Sequence, residues 1–426
     1  MPVSTVSDKS VRGAKSRIRL ASFLGLQTIL TLIAACLVLE GWARLFLFDD
    51  RIVWPIIHDP AVGTRFKPNS PVVWTNGLDF RVLERTNEAG FLDRPLPPLA
   101  RIPGSCRIAF VGDSFVEAAQ VTIAEKVQVK LQQLMAARRP HAPVEMMAVG
   151  FSGTGQLNQL GYLDAFVRPR KPDLVVLVVG HNDFANNSSL IEAMRTGWHP
   201  QHTPRVFARE ATSGIELQPI DKDWIQHLLP FASEPPARWL HVKLQASRFY
   251  RWLFAKLKVQ HPGLARAMAG QHEPATSMAV RATILAGLDP EFERLFAGSD
   301  FRSLPNPDEV FATKGTLPPV FEQAIRFTDF AFGEIKSRAE ADGSKLVVLG
   351  THRVTAGVEE RLKDILVRRG IPYVSFLAHI ASRGGTISNS HFRHDGHWSA
   401  QGHLWAAEAL TDHIDRQGIC PPVRAG

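Results

Sequence analysis

Four short stretches of this chain carry residues able to do acyl chemistry together. They are Gly112-Asp113-Ser114, Gly150-Phe151-Ser152-Gly153-Thr154-Gly155, Gly180-His181-Asn182-Asp183 and, far downstream, His394-Asp395-Gly396-His397-Trp398-Ser399. A serine hydroxyl alone is a poor nucleophile. It needs a base within hydrogen-bond reach to take its proton, and an acid to fix that base's tautomer. Ser114 is the candidate nucleophile, at the first turn of an expected helix where peptide dipoles and unpaired N–H groups add partial positive charge. Asp395 and His397 supply acid and base from one loop. The developing oxyanion then needs rigid donors, and the backbone N–H groups of Ser114 and Gly153 with the side-chain amide of Asn182 are three candidates. Gly153 suits the task because no Cβ blocks a substrate oxygen from its amide.

Each residue also has a plainer reading. Ser114 could be a helix cap, since Asp and Ser are favoured there. Gly153 and Gly155 could only shape a turn, Asn182 could cap a loop, and Asp183 reads as a structural residue holding its loop by local hydrogen bonds. Ser152 is a rival serine without the preceding Asp or a clear helix start. The tract His391, His394, His397 and His403 raises the question of zinc, but Asp395 is its one nearby carboxylate and no Cys pair or His-Glu-x-x-His accompanies it. His181 and His403 read as local hydrogen-bonding residues, Trp398 as packing beside the base, and Ser399 as the cap of the final helix. The Gly-x-Ser-x-Gly elbow, the phosphate-cradling Gly-x-x-x-x-Gly-Lys-Ser/Thr and the dinucleotide fingerprint are all missing from the sequence. No metal and no organic cofactor is expected.

These stretches sit on elements that can position them. Short apolar runs at Arg107–Val111, Val144–Val149, Leu174–Val179, Lys345–Leu349 and Pro372–Phe376 read as strands, and patterns at 115–138 in part, 156–167, 318–342, 357–369 and 399–416 read as helices. Strands apolar throughout and separated by helices imply a parallel sheet covered on both faces. The expected fold class is therefore α/β, a three-layer α/β/α sandwich of flavodoxin-like type with a five-stranded parallel sheet. In such a sheet ligands bind at the carboxyl ends of the strands, where three of the four stretches fall. The catalytic domain is expected over 106–183 and 318–420, interrupted by a mainly helical cap at 184–317 that is too long for a structureless loop. Ahead of it, 51–105 reads as a small β-rich collar, with a tight hairpin signalled by Asn76-Gly77 and an extended linker marked by Pro95, Pro97, Pro98 and Pro103.

The chain has 426 residues, 45% of them hydrophobic, enough for a globular enzyme-sized body. From Leu20 to Leu39 no residue is charged. At about 1.5 Å per residue a helix of that length matches a hydrocarbon core of roughly 30 Å, so 20–45 reads as a transmembrane anchor. Lys9, Arg12, Lys15, Arg17 and Arg19 against Asp8 keep the tail 1–19 cytoplasmic and export the rest. A cleaved leader is the competing reading, because Ile33-Ala34-Ala35-Cys36 resembles a lipoprotein cleavage box. The tail's five bases minus one acid supply +4 of the formal +8, so the charge makes no case for nucleic acid. Cys106 and Cys420 flank the exported body and could pair in an oxidising compartment, or stay as two inert thiols. Within the cap, Pro236–Gln260 holds six Lys or Arg and no acid among its apolar residues. It reads either as a solvated basic face over a packed stripe, or as a helix lying on a membrane or lining the mouth over an acidic polymer.

Together the four stretches resemble the blocks of the SGNH (GDSL-type) hydrolase superfamily, over about 107–183 and 318–417. The resemblance implies Ser114 as nucleophile, Gly153 and Asn182 at the oxyanion hole, and Asp395 with His397 as acid and base. Many members of that superfamily separate acid and base by two residues, whereas only Gly396 intervenes here. The Asp-x-His-Trp form is similar to the bacterial polysaccharide O-acetyltransferase and deacetylase branch, including the alginate acetylation proteins. His58-Asp59-Pro60, Lys67-Pro68-Asn69 and Thr86-Asn87-Glu88-Ala89-Gly90-Phe91 are similar to segments of its membrane-anchored members. What the resemblance implies is an acyl-ester hydrolase or O-acyltransferase of the bacterial inner membrane, facing the periplasm. Its substrate would be an acylated glycan or other small ester, and polysaccharide biosynthesis or export proteins would be its partners. The alternative is a non-catalytic glycan-binding or assembly component of an export system that retains the fold.

Overall fold

The computed structural model of the chain describes residues 8–47, 51–140, 142–196, 205–221, 236–269, 307–313, 315–351 and 356–420. Much of the expected cap, at 197–204, 222–235 and 270–306, and the tail's residues 1–7 lie outside the described residues.

The chain opens with a long helix, α1 (Asp8–Phe46), whose stretch Ala21–Phe46 is long and apolar enough to cross a membrane. Two antiparallel hairpins follow, β1 (Ile56–Asp59) with β2 (Gly63–Phe66), and β3 (Pro71–Thr75) with β4 (Arg81–Arg85). The body then begins with β5 (Cys106–Gly112), α2 (Ser114–Glu117), α3 (Val127–Arg138), β6 (Val144–Gly150), α4 (Gln156–Tyr162) and β7 (Leu174–Val179). Next come α5 (Asp183–Asn186), α6 (Ser189–Thr196), a hairpin of β8 (Ala208–Ala211) and β9 (Gly214–Leu217), then α7 (Pro236–Leu244), α8 (Arg248–Gln260), α9 (Pro262–Met268) and α10 (Pro307–Ala312). The body resumes with α11 (Pro319–Ala341), β10 (Lys345–Gly350), α12 (Ala356–Arg369), β11 (Tyr373–Ser375), α13 (Phe376–Ser382), α14 (Ile387–Ser390) and α15 (Ala400–Arg416).

Five strands form one parallel sheet in the order β11-β10-β7-β5-β6. The continuous apolar character of these strands follows from burial on both faces. Along β5, Ala109 and Val111 enter one core with Met147, Val149, Val175 and Leu177, under α4, α11 and α12. The alternate residues Ile108 and Phe110 enter the other with Met146, Val176, Val178 and Val347, under α3, α13 and α15. The fold is thus a three-layer α/β/α sandwich. The chain passes from β5 outward to β6, then crosses back to β7 on the other side of β5. That reversal leaves a crevice beyond the carboxyl ends of β5, β6 and β7.

The segments read as a collar share the body's core, with Val62, Phe66, Val72, Phe91, Leu92 and Leu96 buried in the same cluster as α4, where Phe91 meets Tyr162 at 5.6 Å. Asp93 ties the same segment to the sheet by accepting from the Ala148 N–H at 2.9 Å.

One local expectation gains detail and another changes. The helical pattern over 115–138 splits into α2 and α3, because Ala118 turns left-handed at φ 46° and the Lys126 ammonium takes the Glu117 carbonyl at 2.5 Å, which ends the first turn. Asn76-Gly77 does not form a two-residue turn. The Asn76 side-chain oxygen accepts from the N–H groups of Leu78 (3.0 Å) and Asp79 (2.8 Å), building a wider loop between β3 and β4.

Candidate active site

Ser114 opens α2 immediately after β5. The cap of that short helix is Asp113, whose carboxylate accepts from the Phe115 N–H at 3.0 Å, so the Ser114 hydroxyl is left for another partner. That partner is His397, with Nε2 at 2.8 Å from the Ser114 Oγ although the two are 283 residues apart. The His397 Nδ1 lies 2.5 Å from the Asp395 Oδ1, and the same oxygen accepts from the His397 backbone N–H at 3.0 Å. The spacing with a single intervening residue therefore lets one carboxylate oxygen hold both the ring and the backbone of the base. Phe115 packs on the His397 ring at 5.0 Å and on Trp398 at 5.0 Å. His397 is 24% exposed and Asp395 16%, so the chain of three groups opens to solvent at one end. A four-residue helix has little macrodipole to offer, so activation of Ser114 falls to the imidazole.

Gly153 follows β6 with φ +70°, a conformation that disfavours any side chain. Among the described residues, no acceptor takes its N–H. The Ser114 N–H belongs to the first helical turn, where no intrahelical carbonyl serves it. The β-strand ends allow the two loops to approach: a Cβ on Gly112 or Gly150 would stand 2.6 or 2.7 Å from Val116.

Asn182 is buried after β7, and its side-chain amide donates to Asp113 Oδ2 at 3.1 Å and to Asn186 Oδ1 at 2.6 Å. Both its N–H groups are engaged, so a bond to a substrate oxygen requires exchange of one of them. From Asn186 the chain of contacts runs on to Glu192 Oε2 at 2.8 Å, and Glu192 Oε1 pairs with Arg205 Nη1 at 2.8 Å. The other guanidinium nitrogen of Arg205 sits 3.0 Å from where a Cβ on Gly153 would stand. A buried polar network thus runs from Asp113, beside Ser114, through Asn182, Asn186 and Glu192 to Arg205, which stands close against Gly153. Nothing in the sequence around Arg205 signals it.

Asp183 turns inward, accepting from the Gly180 N–H at 2.5 Å and from the Gln156 amide. Burial and the neighbouring Asp113 raise its carboxyl well above the ordinary carboxylate range, and burial raises Asp113 as well. Ser152 gives both its N–H and its hydroxyl to Glu117, each at 2.7 Å, which removes it as a rival nucleophile. Glu117 is wholly buried on α2, and its carboxyl is pushed up to about 7 by that burial, against the hydrogen bonds from Ser152 and the charge of Lys126. A charged residue inside Phe115-Val116-Glu117-Ala118-Ala119 was the signal that could have found it.

The histidines of the downstream tract go to separate partners. His391 Nδ1 meets Ser390 Oγ at 2.7 Å, His394 Nδ1 meets Asp79 Oδ1 at 2.8 Å, and His403 Nδ1 accepts from the Val127 N–H at 3.2 Å. Burial lowers His403 to about 3, so it is neutral, as an acceptor must be. No three metal-binding side chains converge among the described residues. Asp79, on the β3–β4 loop, also accepts from the His394 N–H at 2.7 Å. Burial alone would raise its carboxyl, but the donors from His394 and Asn76 hold it below its usual value.

No protein-family model matches the chain, and no curated protein matches it. Among solved structures the chain is similar to TesA, at 12% identity over 73% of this chain and 98% of that one, with a TM-score of 0.35. It is similar to a lipolytic protein of the G-D-S-L family from Desulfitobacterium hafniense, at 8% identity over 72% and 99% of the two chains with a TM-score of 0.34. A catalytic mutant of Axe2, an acetylxylan esterase from Geobacillus stearothermophilus, gives 12% identity over 74% and 96% with a TM-score of 0.35.

Proposed function

We propose that this chain is a membrane-anchored serine acyl-transfer enzyme, an ester hydrolase or O-acyltransferase acting on an acylated extracytoplasmic glycan. The observation that carries the acyl chemistry is the unbroken chain Asp395–His397–Ser114, with contacts of 2.5 and 2.8 Å. In this reading His397 Nε2 takes the Ser114 proton as Oγ attacks the ester carbonyl, and Asp395 holds the Nδ1–H and stabilises the imidazolium. The tetrahedral oxyanion accepts from the Ser114 and Gly153 N–H groups and from Asn182 once its bond to Asn186 is exchanged. Collapse returns the proton from His397 to the leaving alcohol and leaves an acyl-Ser114 ester. Water or a sugar hydroxyl then gives its proton to His397, attacks that ester, and releases Ser114.

The placement outside the cytoplasm is supported by two features of the chain. Five basic residues precede the apolar stretch Ala21–Phe46, which favours a cytoplasmic N-terminus. Cys106 and Cys420 are bonded, as suits an oxidising compartment. The glycan substrate rests on the Asp-x-His-Trp resemblance.

The test is hydrolysis of a small aryl acetate by the purified full chain. Ser114→Ala is expected to lower kcat/KM by on the order of 10⁴-fold, and activity that survives the substitution removes the mechanism. Adding an acetylated donor with an oligosaccharide acceptor separates the two fates of the acyl-enzyme: acetylated acceptor without matching free acetate identifies transfer.

A further inference from the structure

The helices α7 and α8 are held to the end of α1 by a set of contacts that the acyl chemistry does not use. Glu40, on the last turns of α1, accepts from the Ser247 hydroxyl at 2.7 Å and from the backbone N–H groups of Arg248 and Phe249 at 3.2 Å each. It therefore caps the N-terminus of α8, whose first N–H groups have no carbonyl of their own. In return, the Arg248 guanidinium donates to the carbonyls of Arg44 and Leu47 at 3.1 and 2.9 Å, closing the carboxyl end of α1. Trp42 and Trp252 meet edge to face at 6.1 Å, and Ala43, next to Trp42 in the chain, is fully buried.

These helices then expose what a water-facing surface ordinarily hides. Trp239 is 60% exposed, Leu240 51% and Val242 51% on α7, with Leu253 on α8 and Leu264 on α9 also exposed. Beside them stand the exposed Lys243, Lys256 and Lys258, and 236–260 contains no acid. Exposed Trp and Leu interleaved with Lys make an interfacial membrane helix, in which the apolar side sinks to the acyl boundary and the amines meet anionic headgroups. The chain exits the apolar stretch of α1 at Phe46, level with the residues that grip α8.

We propose that α7 and α8 form an interfacial foot, lying on the bilayer that α1 crosses, with anionic lipid headgroups as its partner. The proposal rests on the reading of α1 as a membrane span. The body is then held to the surface at two adjoining elements rather than by one stalk, and Glu40 keeps span and foot in register.

The experiment places one fluorophore at a time on the full chain carrying Cys36→Ser, in vesicles of phosphatidylcholine with phosphatidylglycerol. The positions are Leu240→Cys on the foot, Leu30→Cys in the span and Val367→Cys on the distant face of α12. Lipids brominated near the headgroup are expected to quench the probe at 240 and not at 367. The triple change Lys243→Gln, Lys256→Gln and Lys258→Gln is expected to reduce that quenching towards its value in phosphatidylcholine alone. A probe at 240 that stays as unquenched as the one at 367, while deeply brominated lipid quenches the probe at 30, overturns the foot and leaves the span standing. A probe at 240 shielded from aqueous iodide yet untouched by brominated lipid means that a protein or glycan covers the patch, which also overturns the proposal. Failure of the probe at 30 to be quenched removes the span itself.

Discussion

The Ser114 hydroxyl is held by His397, but the donors around it are held by Glu117. This carboxyl accepts both the N–H and the hydroxyl of Ser152, the residue before Gly153. Its environment contains Lys126, His397 and Tyr162 as the other titratable groups, and Lys126 is lowered to about 8 by its own burial. Glu117→Gln keeps an oxygen for the Ser152 N–H and offers an amide to the hydroxyl, which can reverse to accept; kcat/KM is expected to stay near that of the native chain. Glu117→Ala frees the loop, and a misplacement near 1 Å is expected to cost about 10²-fold in kcat/KM. The sign of the pH effect follows from the raised value. Between the ordinary 4.5 and about 7 the folded protein binds this proton more tightly than the unfolded chain, so stability contributed here falls as pH rises through that window. A Tm series across it is expected to show that fall in the native chain and its loss in Glu117→Gln; parallel curves would refute it. Gly153→Ala is a second probe of the same loop. At φ +70° with Arg205 3.0 Å from the new Cβ, it is expected to lower kcat and, through about 1–2 kcal/mol of backbone strain, to lower Tm as well. Of all these residues, Ser114, Asp395 and His397 were legible because their chemistry requires particular types in particular order. Arg205 and Glu192 were not, since a buried pair inside an insertion leaves no periodic or spacing signal.

The strands of the sheet were readable within a residue or two, because β5, β6, β7 and β10 are buried on both faces and so run apolar, with Arg107, Glu145 and Lys345 confined to their first two positions. The loops between β3 and β4 and before α15 were not, because each owes its shape to the other. Asp79 takes the backbone and ring N–H groups of His394, and Phe80 packs on Phe392 at 4.9 Å, across a sequence separation of 315 residues for the Asp79–His394 pair. The residues that hold the acid and base are therefore positioned in part by a hairpin outside the sheet. The Asn-Gly pair reads as a tight turn from local propensity alone, and the wider loop exists because Asn76 folds Asp79 back towards the catalytic loop. Asp79→Ala is expected to lower kcat by roughly 10-fold to 10²-fold while Tm moves little, since the contact is at the surface of the body. Asp79→Asn, able to accept but not to carry charge, should recover part of the loss. Equal and large Tm losses in both variants would make Asp79 a stability residue and not a positioning one.

The bond between Cys106 and Cys420 joins the first residue of β5 to the segment after α15, at a sequence separation of 314. Sequence offered this pairing but could not decide it against two inert thiols, because the bond depends on where α15 ends relative to the sheet, a long-range outcome of packing. Their position decides what the bond does. Ser114 lies just past the opposite end of the same strand, and a strand of that length at about 3.3 Å per residue separates the two by roughly 20 Å. The disulfide and the reacting groups thus occupy opposite edges of the sandwich. A cross-link enclosing most of the body restricts the unfolded chain strongly and is expected to contribute about 2–4 kcal/mol. Cys106→Ser with Cys420→Ser is therefore expected to lower Tm by several degrees while kcat and KM for an aryl acetate at 25 °C stay as in the native chain. If kcat falls together with Tm, strain or motion at the base of β5 reaches Ser114, and the rigidity assigned here to the central strand is wrong. If neither changes, the native fold already fixes the two ends through Arg139, which donates to the carbonyls of Ile419 and Cys420 and pairs with Asp415. The triple variant that adds Arg139→Ala separates that case, because the two restraints act on the same few residues and their losses should exceed the sum of the parts.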